Sequence, residues 1–270
     1  MYSVELKQSI KRFIAKSIKP LSDKKDKNLS VILNYHSIHP NHKFATKPDD
    51  FLQQMEYLAT NFKVISLSEF YEMRNTRGVL SGKLAVVTFD DGYEDNYKYA
   101  FPILKKFGIK ATVFVTTGFI EGIVDIAKRD GTYSGLNPLT WTQIKEMNEW
   151  EISFGAHTHT HPILTHIQLK DAEDEIVKSK EILERKLGRT VETFAFPLGQ
   201  PKAFNSDIIG HLKKNGFKLA CSTIWGHDNS RTDLFLLHRI RIDACDTFED
   251  FIDKVNGKWD FVGWIQRIRG

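Results

Sequence analysis

Short apolar runs alternate along the chain with longer stretches whose apolar residues recur at helical spacing. The short runs, which predict strands, are Val31–Tyr35, Phe62–Ile65, Leu84–Phe89, Ala111–Thr116, Glu151–Ala156, Val191–Phe196, Phe217–Thr223 and Arg239–Ile242. The longer stretches predict helices at Asp49–Asn61, from Ser68 through Met73, at Tyr93–Phe107, Thr140–Trp150 and Asp171–Leu187, and around Asn205–Asn215. Residues 120–139 are predicted to form a loop insertion.

Strands that alternate with helices are typical of an α/β protein with a mainly parallel sheet. Seven or so strand–helix pairs within 270 residues predict one distorted (β/α)7-type barrel, similar to a TIM barrel. In such a barrel the chemistry lies at the carboxyl ends of the strands. A candidate motif should therefore follow directly after a strand.

The composition is that of a globular protein, with 41% apolar and 27% charged residues. The longest uncharged apolar stretch, Ala111–Ile120, is far shorter than a membrane span, and residues 1–28 lack the apolar block of a secretion signal. Two cysteines cannot form a disulfide framework. We therefore expect a cytoplasmic protein.

The positive charge is concentrated at the N-terminus. Residues 1–28 hold eight basic and three acidic groups, whereas the remaining residues hold 30 basic and 31 acidic groups. The body carries no basic groove interleaved with aromatic residues, so we do not expect a nucleic-acid partner.

Two adjacent carboxylates, Asp90 and Asp91, follow the predicted strand Leu84–Phe89 in the sequence Thr-Phe-Asp-Asp-Gly. A cation beside one of them would lower its pKa and leave its neighbour free to act as a base. The same tripeptide Asp-Asp-Gly is also common in solvated turns, which is the alternative interpretation.

Three histidines follow the predicted strand Glu151–Ala156, at His157, His159 and His161. Imidazole is a good ligand for zinc and similar ions. If the segment is extended, all three rings can face one way; if it curls, His157 and His161 converge and His159 turns away. Scattered histidines on a polar loop are the non-functional alternative.

The segment from Val31 to about Asp243 carries both motifs and resembles the polysaccharide deacetylase family (the NodB homology domain, carbohydrate esterase family 4). The first family motif is present at residues 88–92, and the second, His-[Ser/Thr]-x-x-His, at residues 157–161. The resemblance implies that Asp91, His157 and His161 bind a divalent metal, usually zinc, with cobalt, nickel or manganese possible. It also implies that Asp90 is the general base. Thr158 would brace the loop, and His159 would not be a ligand but would either lie behind the ligands or face solvent.

The third family motif, commonly Arg-Pro-Pro-Tyr-Gly, corresponds here to residues 195–199, which read Ala-Phe-Pro-Leu-Gly. Pro197 is kept, Leu198 replaces the tyrosine, and Ala195 replaces the arginine that orients the base. A backbone N–H at Leu198 can still bind an oxyanion. We expect the missing positive charge to come from Arg239, with Arg241 as the alternative, unless both simply line a strand edge.

A leaving amine needs an acid, most often histidine. Leu236-Leu237-His238 fits the common family motif, but Val31–Ile38 resembles the opening strand of a permuted branch in which a Tyr-His pair supplies the acid. His36 is therefore our predicted acid and His238 the alternative. Trp225 is predicted to line the sugar pocket. Trp141 could equally be a residue of the hydrophobic core.

Both ends combine apolar and basic residues. We expect a basic amphipathic arm at residues 1–28, a catalytic domain at residues 29–257 and a tryptophan-rich basic tail at residues 258–270. Each end suits peripheral contact with an anionic membrane surface on its cytoplasmic face, and equally suits packing on the barrel as a lid.

These features predict a metal-dependent N-deacetylase of amino sugars in a polysaccharide, an oligosaccharide or a lipid-linked glycan precursor. One alternative is a metal-independent barrel glycosidase with two carboxylates, which leaves the histidines unexplained. Another is a carbohydrate-binding relic that lost turnover when Ala195 replaced arginine.

Overall fold

The computed structural model describes residues 9, 11–14, 30–77, 80, 82–228 and 231–269. Its strands are β1 (Ser30–Tyr35), β2 (Lys63–Val64), β3 (Leu84–Phe89), β4 (Ala111–Val115), β5 (Ser153–Ala156), β6 (Thr193–Ala195), β7 (Leu219–Cys221) and β8 (Ile240–Arg241). Its main helices are α1 (Pro48–Asn61), α2 (Leu67–Arg77), α3 (Phe101–Phe107), α4 (Thr117–Ile120), α5 (Ile126–Asp130), α6 (Trp141–Glu149), α7 (Leu169–Leu187), α8 (Ser206–Lys214), α9 (Phe248–Val255) and α10 (Phe261–Arg269).

The strands form one parallel sheet in the order β7-β6-β5-β4-β3-β1-β8, with β2 paired to the start of β3. A single parallel bridge between Cys221 and Leu237 brings β7 back to the segment that precedes β8. The sheet therefore curls on itself, and the predicted α/β distorted barrel is confirmed.

The pairing register brings the carboxyl ends of neighbouring strands to one level. Tyr35 at the end of β1 lies opposite Phe89 at the end of β3, and Val115 of β4 lies opposite Ala156 of β5. The segments after these strands, including both predicted motifs, consequently emerge at the same edge of the sheet.

The apolar pattern of the sequence explains the packing. Every residue of β1 and β3 is buried, as expected for strands covered on both faces. Helix α1 buries Phe51, Met55 and Leu58, the face that its spacing predicts.

The prediction that residues 120–139 form a loop insertion is wrong. They contain helix α5, which begins after the capping side chain of Asp125 and ends at Gly131, whose φ is 73°. Ile126 and Ala127 of this helix pack in a small separate core with Phe119. The apolar pair behind an Asp cap was the signal that the sequence offered.

The C-terminal boundary at residue 257 is also wrong, because the core continues beyond it. Trp259 is 1% exposed and stacks near Trp225, whose backbone N–H donates to the side chain of Gln266 over 2.8 Å. Residues 258–266 are thus part of the domain. Trp264 is the exception, with 62% of its surface exposed.

The N-terminal arm contacts the domain through Arg12, which donates to both carboxylate oxygens of Asp250 and to the carbonyl of Cys245. Phe13 beside it is 74% exposed. Of the predicted amphipathic arm, residues 1–8, 10 and 15–28 lie outside the described residues. Across the described ranges, no helix has the length and apolar character needed to cross a membrane.

Gly155 in β5 has no room for a side chain. An added Cβ would lie 2.5 Å from both the Phe114 ring and Thr193 Oγ1. We expect Gly155→Ala to lower the free energy of unfolding by about 1–3 kcal/mol, measured by urea denaturation.

Gly210 on α8 is the matched control, since a Cβ there would meet nothing within 4 Å. Gly210→Ala should leave stability unchanged or raise it by up to about 1 kcal/mol. Equal destabilisation by both substitutions would contradict the packing argument.

Candidate metal and catalytic centre

Asp90, directly after β3, forms a buried bidentate pair with Arg239. Arg239 Nη1 lies 2.7 Å from Asp90 Oδ1, and Nη2 lies 2.7 Å from Oδ2. The Asn34 side chain donates to Oδ2 over 2.6 Å, and Arg239 Nε donates to the carbonyl of Ser222 over 2.8 Å. These two additional hydrogen bonds, one on each side of the pair, fix its orientation.

The charges around Asp90 keep it ionised despite its burial. Burial raises the pKa of Asp90, but Arg239, followed by His157, lowers it, and the result is below the ordinary value. Asp90 is therefore an anion at neutral pH, with its carboxylate held at the rim of the sheet.

Asp91 lies beside two of the predicted histidines. Its Oδ1 is 3.5 Å from His157 Nε2 and 3.4 Å from His161 Nε2, and the three potential ligand atoms all lie within 4.8 Å of one another. This is the one group of three or more such side chains that could hold a metal ion in the described part of the chain.

The donor set fits a divalent cation such as zinc. Asp91 Oδ1 is buried and has no hydrogen-bond partner. His157 Nδ1 lies 2.7 Å from the carbonyl of Ala195, which can only accept, so this nitrogen carries a hydrogen and Nε2, on the side of Asp91, is the ring nitrogen left for a cation. One carboxylate and two imidazoles are a common ligand set of hydrolytic zinc sites.

Burial and neighbouring charges set the ionisation of the three groups. Burial raises the pKa of Asp91, but the two histidines bring it well below its ordinary value. Burial lowers the pKa of His161, which favours the neutral ring that a metal ligand requires. Burial also opposes the charged form of His157, yet Asp91 and Asp90 raise its pKa overall.

The loop after β5 curls, so that His157 and His161 converge and His159 turns away. The Thr158 hydroxyl donates to the carbonyl of His157 and accepts from the backbone N–H of His161, bracing the loop as the sequence predicts. Glu175 on α7 accepts from the backbone N–H groups of His159 and Thr160.

His159 lies outside this group of three side chains, and of its two predicted positions the structure shows the one behind the ligands rather than the one in solvent. Its side chain is buried, and its Nδ1 lies 2.9 Å from the hydroxyl of Thr117. Gly118 accommodates this approach, because a Cβ at that position would lie 2.5 Å from the carbonyl of His159.

Four of the five described non-glycine residues with positive φ lie in these segments. They are Asp91 at 73°, Thr158 at 65°, His161 at 60° and Leu198 at 62°. Such conformations are unfavourable, above all for β-branched threonine, and persist only where surrounding contacts enforce them. The strain is concentrated where the ligand atoms are held.

The segment after β6 adjoins this cluster through the link between His157 and Ala195. Pro197 is buried and Leu198 is exposed, with the Leu198 carbonyl accepting from Thr223 Oγ1 over 2.7 Å. Within the described residues, the Leu198 N–H donates to no protein acceptor. A free backbone donor therefore exists at the position predicted for oxyanion binding.

The structure separates the two candidate acids. His36 follows Tyr35 at the end of β1, and the backbone N–H of Asp90 donates to the Tyr35 carbonyl over 2.9 Å. The backbone N–H of His238 instead donates to the carboxylate of Asp228, a residue that bridges Ser30 at the opposite end of β1. Only His36 of the two therefore lies at the edge that carries Asp90 and Asp91.

The prediction that Trp225 lines a sugar pocket is wrong. The residue is 6% exposed, stacks near Trp259 and lies 5.2 Å from Lys254 Nζ, so it belongs to the core. Arg241, the alternative partner for Asp90, binds Asp243 instead and is 54% exposed. Trp141 packs at the edge of the core.

Several residues at the site were not predicted from the sequence. Tyr133 of the insertion stacks on the His36 ring with 5.7 Å between centroids, and Arg129 and Asp130 approach His161. Asp95 accepts from Ser37 next to His36, and burial raises its pKa to about 7. Only the fold brings these positions together, and no motif marks them.

A family model described as polysaccharide deacetylase matches residues 77–220, just over half of the chain. The chain belongs to the polysaccharide deacetylase family. It is accordingly a hydrolase of the carbohydrate deacetylase class, as its motifs predict. The matched range holds the first two motifs and the third, and it excludes His36 and Arg239, which the fold adds to the same edge.

Relatives of this polysaccharide deacetylase match over most of its length. A putative polysaccharide deacetylase of Bacillus subtilis, YxkH, is 29% identical over 78% of this chain and 70% of its own. A poly-β-1,6-N-acetyl-D-glucosamine N-deacetylase of Staphylococcus epidermidis is 26% identical over 87% of this chain and 86% of its own. The structure of the Streptococcus pyogenes deacetylase PplD in complex with acetate superposes with a TM-score of 0.72, at 30% identity over 84% of this chain and 98% of that one.

The pair between Asp90 and Arg239 is expected to dominate the stability of this edge. Arg239→Met leaves a buried carboxylate without its counter-ion and should lower the free energy of unfolding by about 3–5 kcal/mol at pH 8. The loss should shrink as the pH falls, because the unpaired Asp90 then has a raised pKa and takes up a proton. Urea denaturation at pH 5 and pH 8 measures both effects.

Arg241→Met is the control, since Arg241 is largely exposed and its ion pair with Asp243 is a surface pair. Its effect should stay below about 1 kcal/mol at either pH. Similar losses for the two arginines would contradict the assignment.

Zinc binding is expected to need Asp91. We expect Asp91→Ala to lower the affinity for zinc by more than the roughly 10- to 100-fold loss typical of changing an outer partner of a ligand. Competition with a chromogenic chelator measures it. His166→Ala, which alters an exposed histidine nearby in the sequence, should bind zinc like the unchanged protein.

Proposed function

We propose that this enzyme removes N-acetyl groups from amino sugars of a glycan by metal-dependent hydrolysis. The observation that carries the proposal is the meeting of an ionised acid, Asp90, with the group Asp91, His157 and His161 at one edge of the sheet. The names of the relatives support it: one acts on poly-β-1,6-N-acetyl-D-glucosamine, and another was solved with acetate, the product that deacetylation releases.

Asp91, His157 and His161 are the proposed ligands of the cation. Zinc is the first choice, because one carboxylate and two imidazoles suit it, while cobalt, nickel and manganese remain options. When bound, such an ion polarises the acetamide carbonyl and makes a water molecule more acidic. The partnerless Asp91 Oδ1 and the orientation of His157 support this assignment.

Asp90 is the proposed general base. Arg239 and Asn34 hold its carboxylate, and the low pKa that Arg239 confers keeps it ready to accept a proton from the attacking water. Arg239 thereby supplies the charge that Ala195 lacks. This geometry argues against an inactive relic, which would have no reason to keep the base, its counter-ion and three ligands together.

The Leu198 N–H is the proposed oxyanion donor. As carbonyl oxygen gains charge during attack, a fixed backbone donor stabilises it without reorganisation. The positive φ of Leu198 and the contact of its carbonyl with Thr223 support a fixed turn, and buried Pro197 precedes it.

His36 is the proposed acid that protonates the leaving amine. Burial lowers its pKa, whereas Asp91 and Asp90 raise it, and the net value is below that of free histidine. The ring of Tyr133 stacks on it and restricts its orientation. His238 lies at the other end of β1, so it is not retained as the acid.

The substrate is proposed to be an N-acetylated glycan, with poly-β-1,6-N-acetylglucosamine first and peptidoglycan, chitin-like oligomers and lipid-linked sugars as the other candidates. A glycosidase would need two carboxylates across the scissile bond. Asp90 is bound to Arg239 and Asp91 faces two imidazoles, so neither is placed as a free acid for that reaction.

Acetate release from these glycans, with and without added zinc, tests the proposal. We expect activity that chelation abolishes, and a fall of about 10²- to 10⁴-fold in kcat for Asp90→Asn and for His36→Ala. His238→Ala should retain most of the activity. Activity that resists chelation, or that survives Asp90→Asn, would overturn the mechanism.

Peripheral contact with an anionic membrane through the two ends stays a prediction. The exposed Trp264 supports it, whereas Arg12 and Trp259 bind within the protein. The protein should co-sediment with vesicles that contain anionic lipid at low salt, and Trp264→Ala should weaken this. Binding that is equal with neutral vesicles would count against it.

A further inference from the structure

The outer nitrogen of His161, Nδ1, has two neighbours of opposite chemistry, both from helix α5 of the insertion. Arg129 Nη2 lies within hydrogen-bond distance of it at 3.1 Å, and Asp130 Oδ2 lies just beyond that distance at 3.6 Å. His157 differs, because its Nδ1 meets a backbone carbonyl, which can act only as an acceptor. Of the two histidines, His161 is therefore the one whose tautomer can be influenced by neighbouring side chains.

The two neighbours favour different tautomers of His161. A guanidinium can only donate, so Arg129 suits a ring with its lone pair on Nδ1 and its hydrogen on Nε2. A carboxylate can only accept, so Asp130 suits a ring with its hydrogen on Nδ1 and its lone pair on Nε2. Only the second tautomer can offer Nε2 to a cation beside Asp91.

We propose that Asp130 is a positioning residue for the metal centre, whose carboxylate accepts the Nδ1–H of His161 and holds its Nε2 lone pair toward the cation. The inference rests on the proposed function, because it assumes that His161 is a ligand. It makes the insertion, predicted to be a plain loop, a working part of the site.

Arg129 orients this carboxylate and ties it to the ligand loop. Its Nε donates to Asp130 Oδ1 over 2.9 Å, which leaves Oδ2 facing His161. Its Nη1 and Nη2 donate to the carbonyls of Thr160 and His161, each over 2.9 Å. Arg129 thus holds the Asp130 carboxylate in a fixed position relative to His161.

The place of Asp130 in its helix is unfavourable by itself. It is the last residue of α5, and an anion at a helix C-terminus opposes the helix dipole. The buried Ile126 and Ala127 and the capping Asp125 account for the stability of α5 without it. A purely structural role for Asp130 is therefore not evident, whereas a role toward His161 is.

Zinc affinity of the full chain, measured by chelator competition beside urea denaturation, tests the proposal. Asp130→Ala should lower the affinity by about 10- to 100-fold, the usual effect of losing such a partner. Its urea midpoint should be unchanged or slightly higher, a combination that mere loss of structure would not produce. Asp130→Glu, which keeps an acceptor, should recover part of the affinity.

Glu121→Ala is the matched control, because it removes one exposed negative charge from the same insertion. It should leave the zinc affinity within a factor of about two if the effect of Asp130 is local rather than a general change of charge. Unchanged affinity in Asp130→Ala, or an equal loss in Glu121→Ala, would overturn the inference and leave the proposed function standing. Failure of the unchanged protein to bind zinc would overturn the metal centre itself, and this inference with it.

Discussion

The buried ion pair between Arg239 and Asp90 is the interaction on which the rest of the site depends. It joins β8 to β3 across the intervening β1, which adds its own donor from Asn34. Without that positive charge, two neighbouring carboxylates at the same strand end would repel each other, and one would take up a proton. With it, Asp90 keeps its charge and Asp91 is left free to face the histidines.

The sequence was sufficient for the architecture and for the position of the chemistry. Runs such as Val31–Tyr35 and Leu84–Phe89 are apolar except at Asn34 and Thr88, because their strands are covered on both faces, and this makes them easy to identify. Since parallel strands end at one edge, the motifs that follow β3 and β5 had to lie near each other. The spacing alone left open whether two or three histidines converge, because this depends on the turn at Thr158 and on Glu175 from a distant helix; only the resemblance to the family excluded His159.

Other features depend on how deeply a side chain is buried and on which distant residues it contacts. The hydrophobic periodicity of a sequence does not reveal either. Arg239 and Arg241 alternate alike along one strand, yet Arg239 lies deeper in the barrel and reaches Asp90, while Arg241 lies at the rim with Asp243. Trp225 lies among polar residues in the sequence and Trp259 follows Lys258, so neither position stands out as core. Instead, the chain folds the Lys254 amine over both rings and buries all three together. The role of α5 beside His161 depends equally on tertiary contacts.

The bridge between β7 and the segment before β8, where the sheet closes, has a consequence for how homologues are classified from aligned sequences. Because the sheet closes there, Ala195 on β6 and Arg239 beside β8 border the same interior, although 44 positions separate them in the chain. A cationic group can then be inherited from either side of this bridge and meet the same aspartate. A survey that identifies inactive homologues by a missing arginine in one alignment column would wrongly discard chains like this one. Such surveys should instead ask whether any arginine lies near the aspartate in the folded structure.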